Sequence, residues 1–186
     1  MPVPVEFVPA DTAVRRPVTK VGGQPVWLDE PQWPLSRESG EPMEFLGQFE
    51  LGDGRLGYLF MTASEAGGEA TWEPDGGENA LVVQPAGRVP DFLTVEAAGA
   101  GPSAGEDFVP RAVERAPDGE EWQFLGGPDV QPNWLQGGEH PGPGWQLIAQ
   151  LDSAGLPFYV NFGDMGVGYA FLSPDGKEGR FLWQCG

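Results

Sequence analysis

Glu44-Phe45-Leu46-Gly47-Gln48-Phe49-Glu50-Leu51-Gly52-Asp53-Gly54-Arg55-Leu56-Gly57-Tyr58-Leu59-Phe60 reads as two strands and a turn. Phe45, Gly47, Phe49 and Leu51 alternate with Glu44, Leu46, Gln48 and Glu50. Leu56, Tyr58 and Phe60 alternate with Gly57, Leu59 and Met61. Period two with aromatic enrichment marks a β-strand. Gly52-Asp53-Gly54 between the runs predicts a tight hairpin, because such turns need residues that tolerate positive φ.

The same pattern recurs toward the other end. Trp145, Leu147, Ala149 and Leu151 are expected to share a face, as are Val167, Tyr169 and Phe171, and then Phe181, Trp183 and Cys185. Apolar residues at i, i+3, i+4 and i+7 without an intervening Gly or Pro are scarce. The expected fold is therefore mostly β, α+β at most, with few short helices. Pro-Asp-Gly at 74–76, 117–119 and 174–176 punctuates it with turns.

Composition tests that expectation. Gly (29) and Pro (20) together fill about a quarter of the 186 residues, close to low-complexity chains. Yet 40% of residues are hydrophobic, with 7 Trp and 11 Phe, which disordered chains lack. Gly and Pro are then expected in turns. Polar, small-residue stretches at 64–79, 97–106 and 136–144 are expected to be mobile.

An order of motifs repeats roughly one hundred residues on. Gly22-Gly23-Gln24-Pro25-Val26-Trp27-Leu28, a strand bearing Gln48 and Glu50, and Gly57-Tyr58-Leu59-Phe60 form the first series. Gly126-Gly127-Pro128, Trp134-Leu135, a strand bearing Gln150 and Asp152, and Gly168-Tyr169-Ala170-Phe171 form the second. The expectation is a single domain over residues 1–186. It would hold two related antiparallel β units, about residues 18–95 and 121–186, with a linker near 97–106.

Lys and Arg total 10 against 28 Asp and Glu, a net charge of −18. Such a surface repels phosphates and anionic lipids, so neither nucleic acid nor membrane is an expected partner. It steers toward a basic protein or peptide; the plainer reading is solubility alone, as a monomer. Cys185 is the only cysteine, so no intrachain disulfide and no cysteine zinc site is expected. Residues 1–10 have no basic region or unbroken apolar stretch, and no run approaches the length of a membrane span. A cytoplasmic location is the default expectation.

Several segments together resemble the YwqG-like family, whose superfamily includes programmed cell death protein 2. Val21-Gly22-Gly23-Gln24-Pro25-Val26-Trp27-Leu28 resembles its Gly-Gly-x-Pro-x-Trp-Leu start, and Glu41-Pro42-Met43-Glu44-Phe45-Leu46-Gly47-Gln48 its Pro-Met-x-Phe-Leu-x-Gln segment. Leu147–Ser153, Asn161-Phe162-Gly163-Asp164-Met165-Gly166, Val167–Phe171 and Phe181-Leu182-Trp183-Gln184-Cys185 carry the strongest likeness. The resemblance implies a duplicated β-rich fold and a protein-binding role, immunity-type or chaperone-like, without catalysis. The zinc-binding cysteines of the eukaryotic relatives have no counterpart in Ser36–Met43.

Catalytic chemistry finds little support. His140, the only histidine, lies in the loop sequence Gly138–Gly142 with no Gly-x-Ser-x-Gly elbow. No catalytic residue, metal or cofactor is expected, though Asp152, Asp164 and Asp175 could gather around Ca²⁺ or, more simply, cap their own turns. Gln48 and Gln150 stand out as amides inside apolar strands. Each either pins a neighbouring loop through its backbone, such as the Gly-Gly-Pro segment of its unit, or lines a shared groove. Trp145 and Trp183 read as core. Trp27, Trp33, Trp72 and Trp134 are plugs over the sheet or recognition anchors, with Trp33 and Trp134 expected exposed. Asp152, Asn161 and Asp164, in the C-terminal segments that carry the resemblance, complete the candidate binding set. The alternative class is a carboxylate-based enzyme or a protein binding a small molecule or glycan.

Overall fold

The computed structural model describes residues 1–63, 70–115 and 119–186. It holds twelve strands: β1 (Val3–Pro9), β2 (Lys20–Val21), β3 (Trp33–Leu35), β4 (Glu44–Gly52), β5 (Arg55–Met61), β6 (Asn79–Gln84), β7 (Thr94–Glu96), β8 (Phe108–Ala112), β9 (Phe124–Leu125), β10 (Gln146–Asp152), β11 (Val167–Leu172) and β12 (Gly179–Gln184). Among the described residues there is no helix; accordingly none is long and apolar enough to cross a membrane. The mostly β expectation holds.

Ten strands form one antiparallel sheet in the order β12-β11-β10-β9-β1-β8-β2-β4-β5-β6, nearly closed into a barrel. β1 joins the two sides by pairing with both β8 and β9. The end strands β6 and β12 meet in space at a seam. A Cβ at Gly179 would stand 2.3 Å from the Leu81 carbonyl oxygen, so only glycine lets the edges come this close. The Lys177 carbonyl accepts the Arg88 N–H at 2.8 Å. Arg88 also reaches Asp175 at 2.9 Å and Glu178 at 2.7 Å, and Arg55 donates to the Gly176 carbonyl.

Burial on both faces follows from the wrap. The inner face gathers Leu46, Phe49, Leu59, Leu81, Ile148, Leu151, Ala170 and Phe181 into the central core. The outer face carries two more cores. One, around Phe45, Tyr58 and Phe60, is covered by Trp27, Leu28 and Trp33; the other, around Leu147, Tyr169 and Phe171, is covered by Trp134, Leu135 and Trp145. Each such side chain removed from water contributes on the order of 2 kcal/mol.

The Asp53–Gly54 turn is the expected tight hairpin, with φ of 53° and 73° at its two residues. Strict alternation, by contrast, fails at the same relative place in two strands. Phe45 lies in the outer core while Phe49 and Leu51 pack inward, because β4 carries an irregularity between Phe45 and Gly47. Leu147 likewise faces outward while Ala149 and Leu151 face inward, across an irregularity between Leu147 and Ala149. A β-bulge inserts one residue and reverses the faces beyond it, so the shared faces expected from period two are split.

The stretches expected to be mobile carry specific bonds where they are described. Trp27 donates its indole N–H to the Gly99 carbonyl at 2.9 Å, Gln24 bonds Gly101 and Ser103, and the Phe45 N–H reaches the Pro102 carbonyl at 2.9 Å. Asn79 Nδ2 donates to the carbonyls of Thr71 and Glu73 at 2.7 and 2.9 Å. Most of the Pro-Asp-Gly turn at 117–119 and residues 64–69 of the 64–79 stretch lie outside the described residues.

Candidate functional site

The two mid-strand glutamines are completely buried, and both spend their amides on backbone. Gln48 Oε1 accepts the Val26 N–H at 2.9 Å while Nε2 donates to the Val18 carbonyl at 2.8 Å. Gln150 Oε1 accepts the Asn133 N–H at 2.9 Å while Nε2 donates to the Trp122 carbonyl at 3.2 Å. Each therefore pins a Trp-bearing loop over the outer core, and neither amide is left to line a groove. The bulge just before each glutamine is what turns it outward.

Tyrosine hydroxyls work beside them. Tyr58 donates to the Val26 carbonyl at 2.8 Å and accepts the Leu28 N–H at 3.1 Å. Tyr169 donates to the Asn133 carbonyl at 2.9 Å and accepts the Leu135 N–H at 3.1 Å. Burial pushes both hydroxyls up to about 12. A further glutamine closes each arrangement. Gln84 Oε1 accepts the N–H groups of Leu28 and Asp29, and its Nε2 donates to the Glu30 carbonyl at 2.8 Å. Gln184 Oε1 accepts the Gln136 N–H at 3.0 Å and its Nε2 donates to the Gly137 carbonyl at 2.8 Å. Sequence reading passed over Gln84 and Gln184. Their signal was an amide ending a buried apolar strand, in Ala80-Leu81-Val82-Val83-Gln84 and Phe181-Leu182-Trp183-Gln184.

Removing Gln150 strips two partly buried backbone groups of partners, at about 1–3 kcal/mol each. The Gln150→Ala variant is expected to melt roughly 10 °C lower in a thermal scan. An unchanged melting temperature would overturn the pinning role.

The tryptophans sort differently from expectation. Trp33 is buried, not exposed, because β3 lies over the outer core. Its ring meets Phe60 edge-on at 5.1 Å, its indole N–H donates to the Met43 carbonyl at 2.8 Å, and a Cβ at Gly101 would collide with it. Trp134 is half-buried, 4.6 Å from Tyr169 and 6.0 Å from Phe171, with His140 edge-on at 5.2 Å. Trp27 packs on Tyr58 and Phe60 at 4.7 and 6.1 Å. Trp145 and Trp183 are half-buried rather than full core. The exposed indole is Trp72, at 45%.

The remaining candidates lie apart. Asp152 Oδ1 accepts the Ala154 N–H at 3.0 Å and Asn161 Oδ1 the Gly163 N–H at 3.0 Å, both turn-forming bonds. Asp164 is exposed and its backbone carbonyl accepts the Gly186 N–H at 3.0 Å. Asn161 also lines a hollow of about 180 Å³ with Glu44, Met61 and Tyr159. Asp175 accepts from the Ser173 hydroxyl, Arg88 and the Lys177 N–H, which hold its carboxyl well below the usual carboxylate range, opposite to what a general acid requires. Among the described residues no group of three or more His, Cys, Asp or Glu side chains could hold a metal ion.

Two recesses remain open beside the loop-pinning glutamines. A cleft of about 530 Å³ lies over Gln84, walled by Asp29, Glu30, Gln32, Val95 and Glu96. Asp29, Glu30 and Glu96 are exposed, and among the described residues their carboxylates make no ion pair or hydrogen bond. No lysine or arginine lines this cleft. A groove of about 310 Å³ lies over Gln184.

No family model and no curated protein matches the chain.

Proposed function

We propose that the protein is a non-catalytic binding module of the YwqG-like kind, acting as a cytoplasmic monomer that captures and shields a basic protein segment. The observation that carries this reading is the Gln84 cleft, which Asp29, Glu30 and Glu96 line without a lysine or arginine, their carboxylates making no ion pair or hydrogen bond among the described residues. Some acids elsewhere have partners of their own: Asp107 has Lys20, Glu6 has Arg111, and Glu78 has Ser36 and Thr62. A net charge of −18 supplies long-range steering of a cationic partner. The order of motifs supports the family reading. The recurrence of one glutamine–tyrosine–glutamine bonding scheme on the two sides of the sheet supports descent from a duplicated unit.

Fluorescence polarisation with a labelled arginine-rich peptide tests the cleft. Wild type should bind at low salt and release steeply as salt rises. The Asp29→Asn, Glu30→Gln, Glu96→Gln triple variant should bind about tenfold more weakly at unchanged melting temperature. Equal affinity of the two proteins would overturn the assignment.

A further inference from the structure

The groove over Gln184 has a different lining from the cleft. Trp72, Gln136, Glu139, Trp183, Gln184 and Cys185 form it. The Trp183 indole N–H donates to the Thr71 hydroxyl at 3.2 Å, which holds the Trp72 segment against β12. Trp72 is half in solvent, while the amide of Gln184 is consumed by Gln136 and Gly137. Glu139 is exposed and makes no ion pair or hydrogen bond among the described residues. No lysine or arginine lines the groove.

An exposed indole and a carboxylate that line one groove without a lysine or arginine are complementary to a cation. A cation over the ring face is attracted by its quadrupole, and the carboxylate takes its hydrogen bonds. A planar guanidinium does both at once, stacking on the ring while its fork meets the carboxylate. A phosphate or carboxylate ligand would meet Glu139 as a like charge.

We propose that this groove receives an arginine side chain of the basic partner, stacked on Trp72 and paired with Glu139. The inference rests on the basic-partner reading and adds a second anchor to it. The partner would then be held at two places, each beside a glutamine that fastens a Trp-bearing loop.

Cys185 is the only cysteine in the chain and is partly accessible within the groove, so it reports occupancy directly. The same arginine-rich peptide is titrated while its affinity and the rate of Cys185 alkylation by iodoacetamide are followed. Saturating peptide should slow alkylation at least about threefold. Trp72→Ala and Glu139→Gln should each weaken binding roughly fivefold and abolish that protection, at unchanged melting temperature, since both side chains are exposed. Trp72→Phe, which keeps a ring, should retain part of it. The triple variant of the cleft, at peptide concentrations that saturate it, should still protect Cys185. Peptide binding that leaves Cys185 unprotected and ignores Trp72→Ala would overturn the groove alone. Failure of wild type to bind the peptide at low salt would overturn both the groove and the basic-partner reading.

Discussion

Lys20→Met is expected to lose about 3–5 kcal/mol of stability, the usual cost of removing one member of a buried ion pair. Lys20 is fully buried and its ammonium has three N–H groups and three acceptors. They are the Gly22 carbonyl at 3.1 Å, the Gln24 carbonyl at 2.6 Å and the Asp107 carboxylate. Asp107 also accepts the Val14 N–H at 2.8 Å, so one pair fastens the N-terminal segment, β2 and the Gly22–Gln24 bend to the chain just before β8. Methionine keeps the bulk but leaves a largely buried carboxylate and two carbonyls short of a donor. Thermal unfolding should fall by roughly 10 °C or more. The Lys20→Met, Asp107→Asn double variant should recover part of the loss, because a neutral amide tolerates isolation better than a carboxylate. Phe124 occupies the comparable ladder place opposite Gln150, as Lys20 does opposite Gln48, so an apolar side chain is workable there. A double variant no better than the single would show that the carbonyl bonds, not the charge pair, dominate.

The second large effect is alkaline. Tyr58 and Tyr169 hold their protons to about pH 12 in the folded protein, because burial disfavours the phenolate. In the unfolded chain a tyrosine titrates near 10. Between those values the folded state binds more protons than the unfolded one. The stabilisation is therefore complete below pH 10 and is lost as pH rises toward 12. Two units at each site correspond to about 3 kcal/mol per tyrosine. Denaturant titrations should show stability falling by roughly 5 kcal/mol between pH 10 and 12, with Tyr58→Phe about halving the slope. Absorbance of the tyrosinate band in the folded protein should show Tyr58 and Tyr169 still protonated between pH 10 and 12. Ionisation of Tyr58 and Tyr169 near pH 10 would contradict the buried hydroxyl arrangement. Lys20 runs the other way. Burial lowers its pKa despite Asp107, so within its window the unfolded chain binds more protons and its contribution grows with pH.

Much of the fold could be read in residues 44–60 and their later echo, since period two and an Asp-Gly turn need no distant information. The faces could not. Which side Phe45 or Leu147 takes depends on a bulge, and a bulge is set by pairing partners far along the chain. Gln48 and Gln150 were legible as amides that must be hydrogen-bonded, because an apolar strand leaves them no water, while the sequence left open whether a loop's backbone or a groove would take those bonds. Trp33 was misread because Pro34 beside it signals an irregular, accessible segment. A two-stranded patch, β3 with β7, presses it onto the sheet instead. Lys20 gave no signal at all. Its partner lies 87 residues away, and a lone lysine normally reads as surface. The recesses were equally silent, since their walls come from loops that meet only after the sheet curls.

That curling settles one more matter. An open sheet of ten strands ends in two rows of unpaired N–H and C=O groups, a template on which other chains can add as in fibrils. Here β6 and β12 lie against each other, with Gly179 packed onto Leu81 and ion pairs of Arg88 across the join. Neither edge stands open to a stranger. A chain built almost wholly on strands thereby covers the two sheet ends at which further strands would add.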